Sequence, residues 1–103
     1  KVCVAANGVL VLQRQGRKWI EAGRNPDLDC AGVCFAGRPE LLGMVLGNAP
    51  YLEIRETSGS LNRLASSRLP CTASCLHAKG NHIVIGCRSG AVISLRLSGR
   101  RSI

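Results

Sequence analysis

The chain has 103 residues, a formal net charge of +8, and 46% hydrophobic but only 3% aromatic side chains. This length suits one small domain, whose core must come from Val, Leu, Ile, Ala and Cys. The sequence lacks a run of about 18 apolar residues and a signal-peptide pattern, so we expect neither a transmembrane helix nor a secretory leader.

Three similar stretches follow one another, at residues 2–14, 42–55 and 83–96. Each is a short apolar run, a turn and a second short apolar run that ends in polar residues. The first turn is Asn7-Gly8, a strong signal for a two-residue hairpin because both residues tolerate positive φ. Ser89-Gly90 repeats it 82 residues later, and a longer turn at residues 47–50 lies midway. The spacing indicates an internal repeat of about 41 residues.

The second unit contains four predicted strands, near residues 30–36, 41–46, 51–56 and 61–65. The first unit supplies only its last three strands, and the third unit supplies three and stops. We therefore divide the chain into a partial unit at 1–24, a full unit at 29–69 and a partial unit at 71–103. Short, evenly spaced strands joined by glycine turns predict an all-β fold of four-stranded antiparallel sheets.

Four strands in a period of about 41 residues resemble a blade of the WD40-type β-propellers. The Trp-Asp signature of that family is absent, because the matching positions are Leu12-Gln13, Ile54-Arg55 and Leu95-Arg96. The resemblance implies a partial β-propeller of about two and a half blades. It also implies a non-catalytic scaffold within a larger signalling or trafficking protein. Because a ring needs more blades, the missing ones must come from the same chain or from another.

Six cysteines allow three hypotheses. Most fall in or beside apolar stretches, which favours free thiols that pack as small hydrophobes in a reducing, cytoplasmic compartment. A disulfide framework would require a secreted protein. A zinc site is suggested by Cys30-x3-Cys34 and Cys71-x3-Cys75, but residues i and i+4 of one strand stand about 13 Å apart. The two pairs also match at an offset of 41, so we interpret them as one repeat position seen twice.

The sequence shows no catalytic constellation, and we expect neither an enzyme nor a cofactor. The nearest approach to one is Cys75 with His77, which would share a strand face.

The basic residues are scattered, so we predict protein–protein contacts through turns, with a nucleic-acid or ribonucleoprotein role as the alternative and no membrane partner. The candidate contact residues lie in predicted turns: Arg17, Lys18, Arg38, Arg88 and Arg100.

Overall fold

The computed structural model describes residues 2–5, 8–36 and 41–96, which form ten strands in three antiparallel sheets. Sheet 1 holds β1–β3, sheet 2 holds β4–β7 and sheet 3 holds β8–β10, and sequence neighbours pair within each sheet. A membrane-crossing helix, which requires a long apolar stretch, is not found among the described residues. The strands are β1 Val2–Ala5, β2 Val9–Gln15, β3 Lys18–Asn25, β4 Cys30–Phe35, β5 Leu41–Leu46, β6 Tyr51–Glu56, β7 Arg63–Arg68, β8 Ala73–Lys79, β9 His82–Cys87 and β10 Val92–Arg96.

Glycines in the left-handed region close several of the hairpins. Gly90 has φ 95° in the turn between β9 and β10, and Gly16 has φ 66° between β2 and β3. A residue with a Cβ rarely adopts these backbone angles, so glycine occupies the turn positions at which the chain reverses direction. The predicted Asn7-Gly8 turn is described only at Gly8, whose φ is 105°.

Strand registers show that the three sheets repeat one pattern. Gly43 of β5 lies between Cys34 and Ile54, and Val84 of β9 lies between His77 and Ser94 in the same way. The pairing of β4 with β5 and that of β8 with β9 are both interrupted near the start of the first strand, at Ala31 and Ser74. Sheets 1 and 2 share a second irregularity, at Ala22 in β3 and Leu64 in β7. Bulges at corresponding positions show that these sheets are repeats of one structural unit.

Sheet 2 is covered on both faces. One core cluster joins it to sheet 1 and contains Val9, Val11, Leu42 and Leu61. A second cluster joins it to sheet 3 and contains, among its buried members, Val45, Leu52, Ile83 and Ile85. The first strand of each later sheet packs against the sheet before it, as β4 does on β1 and β8 does on β4 and β5. Burial on both faces explains the near-continuous apolar run of β5.

Among the described residues, one charged side chain is buried in this arrangement. Glu53 of β6 is 5% exposed, and its Oε1 accepts hydrogen bonds from Arg55 Nε at 2.9 Å and Nη2 at 2.7 Å. Arg63 Nη1 donates to Glu53 Oε2 at 3.4 Å. Arg55 also donates through Nη1 to the carbonyl oxygen of Leu61 at 2.8 Å. A buried carboxylate is tolerated where such charged donors surround it.

The all-β fold with antiparallel four-strand and three-strand sheets confirms the coarse prediction, and the sheets do not close on one another among the described residues. The fourth strand of the second unit begins at Arg63 rather than near residue 61. The reason is Leu61, which takes φ 58° in a turn and so cannot continue a strand.

The expectation of free thiols is wrong for one pair, because Cys71 and Cys87 form a disulfide. The two cysteine pairs also do not occupy one repeat position. Cys34 pairs with Gly43, whereas Cys75 pairs with Gly86, which corresponds to Val45. Cys71 lies ahead of β8, while Cys30 begins β4. The first strands of the two units are therefore offset by 43 residues, although the second strands keep the offset of 41.

Candidate functional site

The predicted contact residues fall at opposite ends of the sheets. Arg17 lies in the turn between β2 and β3, and Lys18 begins β3; both are exposed. Arg88 lies in the turn after β9, which corresponds to the turn at the other end of β2. A seven-residue strand spans about 23 Å, so these groups do not form one patch. Arg38 and Arg100 lie outside the described residues.

Arg88 is engaged within the fold. Its Nη2 donates to the carbonyl oxygen of Gly47 at 3.0 Å, and its backbone N–H donates to Thr72 at 3.1 Å. Gly47 in turn donates its N–H to the carbonyl oxygen of Asp29 at 3.2 Å. Arg88 thus ties the β9–β10 turn to the β5–β6 turn, 41 residues earlier. The structure gives this residue a bridging contact between sheets 2 and 3.

The outward side of sheet 3 is a bare sheet surface. Register places Cys75, Gly86 and Val92 in one row across the sheet, and His77, Val84 and Ser94 in the next. Val84 is 42% exposed and Val92 is 71% exposed. We call this surface the open face. It consists of Cys75, His77, Val84, Gly86, Val92 and Ser94.

The open face corresponds to a covered surface of sheet 2. There the matching rows are Gly32, Val45 and Leu52, followed by Cys34, Gly43 and Ile54. Val45 and Leu52 belong to the core shared with sheet 3, and Ile54 packs against it. One side of the repeat is therefore buried in sheet 2 and exposed in sheet 3. The open face is the more polar of the two, because His77 and Ser94 stand where sheet 2 has Cys34 and Ile54.

The outer edge of sheet 3 is a second exposed feature. In the part of the chain that the structure describes, β10 pairs with β9 alone, whereas the corresponding β6 of sheet 2 pairs on both sides. A groove of about 250 Å³ lies between this edge and the outer strands of sheet 2. We call it the edge groove; its lining residues are Leu52, Ile54, Ala65, Ser66, Ser67, Leu95 and Arg96.

The equivalent space between sheets 1 and 2 is filled. Leu61 is completely buried there and packs with Val9 and Val11, which correspond to Leu52 and Ile54 of the groove. The turn at residues 58–61 carries Leu61 and is hydrogen-bonded to β3, with Gly59 N–H donating to Ala22 at 3.1 Å. The edge groove between sheets 2 and 3 thus corresponds to the space that Leu61 fills between sheets 1 and 2.

Cys75 and His77 do share the outer face of β8, and both are exposed. They stand beside Gly86 and Val84 on β9, so the pair lies on an open sheet surface and not in a cleft. Among the described residues no group of three or more His, Cys, Asp or Glu side chains could hold a metal ion. Cys71 of the Cys71-x3-Cys75 pair is joined to Cys87 in a disulfide, so its sulfur is not a thiolate ligand.

Sequence reasoning missed the open face, the edge groove and the buried Glu53. The sequence of β9 gave no signal for the open face, because residues 83–85 are all apolar although Ile83 and Ile85 are buried and Val84 is exposed. The signal for Glu53 was the Arg55 two residues later on the same strand face. Comparison of the chain with protein-family models, with curated proteins and with solved structures finds no match in any of the three.

Proposed function

We propose that this chain is a section of a β-propeller that works as a non-catalytic protein-interaction module and binds protein through its open face. The single observation that carries the proposal is the repeat relationship between two surfaces. The side of sheet 2 that bears Val45 and Leu52 is covered by sheet 3, and the matching side of sheet 3 is bare. A repeat whose buried side is exposed in its last copy needs a further layer to cover it.

A propeller accounts for the order of the strands. Sheet 2 has four strands, sheet 1 has the counterparts of its last three, and sheet 3 has the counterparts of its first three. First strands of successive sheets lie side by side, as β4 and β8 do, which suits blades arranged about an axis. The further blades come from the same polypeptide or from a partner chain. We expect the parent protein to be a scaffold in signalling or trafficking.

The test is the association state of the chain in solution. Sedimentation equilibrium from micromolar to millimolar concentration should show self-association of the wild-type chain, because exposed apolar sheet surface seeks a partner. The double variant Val84→Asp/Val92→Asp places two charges on the open face and should sediment as a monomer. Both side chains are exposed, so the fold should be retained.

A matched control is Ile20→Asp/Leu64→Asp, which adds the same charge on β3 and β7. Ile20 is 40% exposed and Leu64 is 55% exposed. This control should associate as the wild type does. A wild-type chain that stays monomeric over the whole range, or a loss of association in both double variants, would overturn the proposal.

Net charge supports the alternative of nucleic-acid binding. The formal charge is +8, and the exposed cations of the described residues include Arg14, Arg24, Arg68 and Lys79. Titration with a non-specific oligonucleotide at several salt concentrations separates the two functions, since phosphate contacts make affinity fall steeply with salt. We expect no salt-dependent binding at physiological ionic strength.

A further inference from the structure

The edge of β10 that faces away from β9 carries backbone groups that can pair with another strand. Cys87 N–H donates to the carbonyl oxygen of Ala91 at 2.9 Å, so Ala91 directs its carbonyl toward β9. Backbone groups alternate in an antiparallel ladder, and the N–H and C=O groups of Val92, Ser94 and Arg96 therefore point away from β9. No other described strand takes these groups up. An unprotected edge of this kind is a template for another strand.

The surroundings distinguish this edge from that of β7. All six residues of β7 are exposed, it is polar along most of its length, and it carries Arg63 and Arg68 at its ends, which discourages pairing. The edge of β10 instead opens onto the edge groove, whose lining includes Leu52, Ile54 and Leu95. Backbone pairing and an apolar pocket are the two parts of recognition by strand addition.

We propose that the β10 edge and the edge groove bind an extended segment of a partner protein, which adds a fourth strand to sheet 3. The segment inserts one apolar side chain into the groove and carries acidic residues. This proposal rests on the protein-interaction function proposed above and names the partner segment.

The turn at residues 58–61 indicates which kind of side chain fits the edge groove. In sheet 2 this turn leads into the fourth strand and places Leu61 against Val9 and Val11. Counterparts of these two residues line the edge groove, so a leucine-sized side chain is the group that fits.

The positive charge around the groove indicates which polar residues the partner segment carries. Arg96 lines the groove and is exposed, and the chain as a whole carries a net charge of +8. An acidic segment is attracted to such a surface and a basic one is repelled. β7, the fourth strand of sheet 2, carries two arginines. A peptide with its sequence should therefore bind poorly until both arginines are replaced.

The experiment uses a terminally blocked peptide with the sequence of residues 58–68 in which both arginines are replaced by glutamate. Fluorescence anisotropy measures its binding to the full chain. We expect saturable binding by the wild type and at least tenfold weaker binding when the peptide carries aspartate at the position of Leu61. The same peptide with its arginines kept should also bind more weakly.

Two substitutions at one position test the pairing. Ser94→Pro removes the outward N–H of β10 while it spares the ladder with β9, as proline is tolerated at an open edge. Ser94→Ala keeps that N–H and is the matched control. We expect Ser94→Ala to bind within about threefold of the wild type and Ser94→Pro to bind at least tenfold more weakly. Circular dichroism should show the same strand content in both.

Three results would overturn the proposal. The first is no binding to the wild type at millimolar peptide, and the second is equal binding to Ser94→Pro. The third is self-association, without peptide binding, that Ser94→Pro abolishes and Val84→Asp/Val92→Asp leaves unchanged, since it would assign the edge to a second copy of the chain. Ser94 also belongs to the open face, so Ser94→Pro is always compared with Ser94→Ala. The peptide with aspartate at the position of Leu61 tests the edge groove with no change to the open face, which keeps failure here distinguishable from failure of the open-face proposal.

Discussion

Leu61 lies so close to Gly23 that a Cβ on the glycine would meet the leucine Cδ2 at 2.6 Å. The two residues belong to different sheets, and the contact joins the outermost strand of sheet 1 to a turn of sheet 2. Two hydrogen bonds from β3 hold the turn: Arg24 N–H donates to the carbonyl oxygen of Gly59 at 2.9 Å, and Asn25 Nδ2 donates to that of Ser60 at 3.0 Å. Leu61 holds φ 58° to make this contact. A leucine in the left-handed region persists only where its surroundings enforce it.

Leu61→Ala should lower the free energy of unfolding by about 3 kcal/mol, because it removes a fully buried side chain from the sheet 1–sheet 2 core. Leu64→Ala is the matched control; that leucine is 55% exposed three residues later, and its loss should cost under about 0.5 kcal/mol. Urea denaturation measures both changes. Equal effects of the two substitutions would contradict the packing described for Leu61.

Leu61→Gly separates backbone strain from packing. It removes the same side chain as Leu61→Ala but relieves the left-handed conformation, which costs about 1 kcal/mol for a residue with a Cβ. The glycine variant should therefore be more stable than the alanine variant, although glycine is ordinarily the less stable of the two in folded chains. A glycine variant that unfolds at lower urea than the alanine variant would show that residue 61 does not hold a positive φ.

Glu53→Ala should lower the free energy of unfolding by about 3 kcal/mol, because it leaves the Arg55 guanidinium in a mostly buried site without its carboxylate. Glu21→Ala is the control, since Glu21 pairs with Arg24 at 3.0 Å on the surface, where side chains are 50% and 56% exposed. An exposed pair of this kind contributes under about 1 kcal/mol. Added salt should change the stability loss of Glu21→Ala more than that of Glu53→Ala, because the exposed pair is the more strongly screened. Comparable losses of unfolding free energy in the two variants would contradict the burial of Glu53.

Removal of the disulfide by Cys71→Ser/Cys87→Ser should cost about 3 kcal/mol of unfolding free energy, as expected for closure of a loop with a sequence separation of 16. Peptide mapping under non-reducing conditions should find Cys71 joined to Cys87. A reductant should shift the urea midpoint of the wild type and leave that of the double variant unchanged. Cys75→Ser, an exposed control in the same sheet, should keep the response to reductant. A wild type that ignores reductant would contradict the bond.

Much of the fold follows from the sequence. Turn glycines and short apolar runs locate the strands of the second unit, and the end of β5 at Leu46 and of β6 at Glu56 match the predicted bounds. Strand pairing follows because neighbours joined by tight turns pair antiparallel. The chain could be divided into three units because each hairpin carries its own turn signal.

The rest depends on contacts that no local pattern encodes. Cys71 and Cys75 looked like a copy of Cys30 and Cys34, yet β8 is shifted by two residues in its register against β9. That shift leaves Cys71 ahead of the strand, where it reaches Cys87. Packing between sheets likewise decides which face of β9 is bare. The sequence also does not reveal that Arg17 and Arg88 lie at opposite ends of the sheets and so do not share one patch.

The most direct measurement of the central claim is the alkylation rate of Cys75, an exposed thiol on the β8 side of the open face. Mass spectrometry of the labelled peptides follows this residue separately from the other cysteines. If a further layer covers the open face, labelling of Cys75 should slow at least tenfold at concentrations where the chain associates. It should stay fast at all concentrations in Val84→Asp/Val92→Asp. A Cys75 that reacts equally fast in the associated wild-type chain would contradict the claim that this face binds protein.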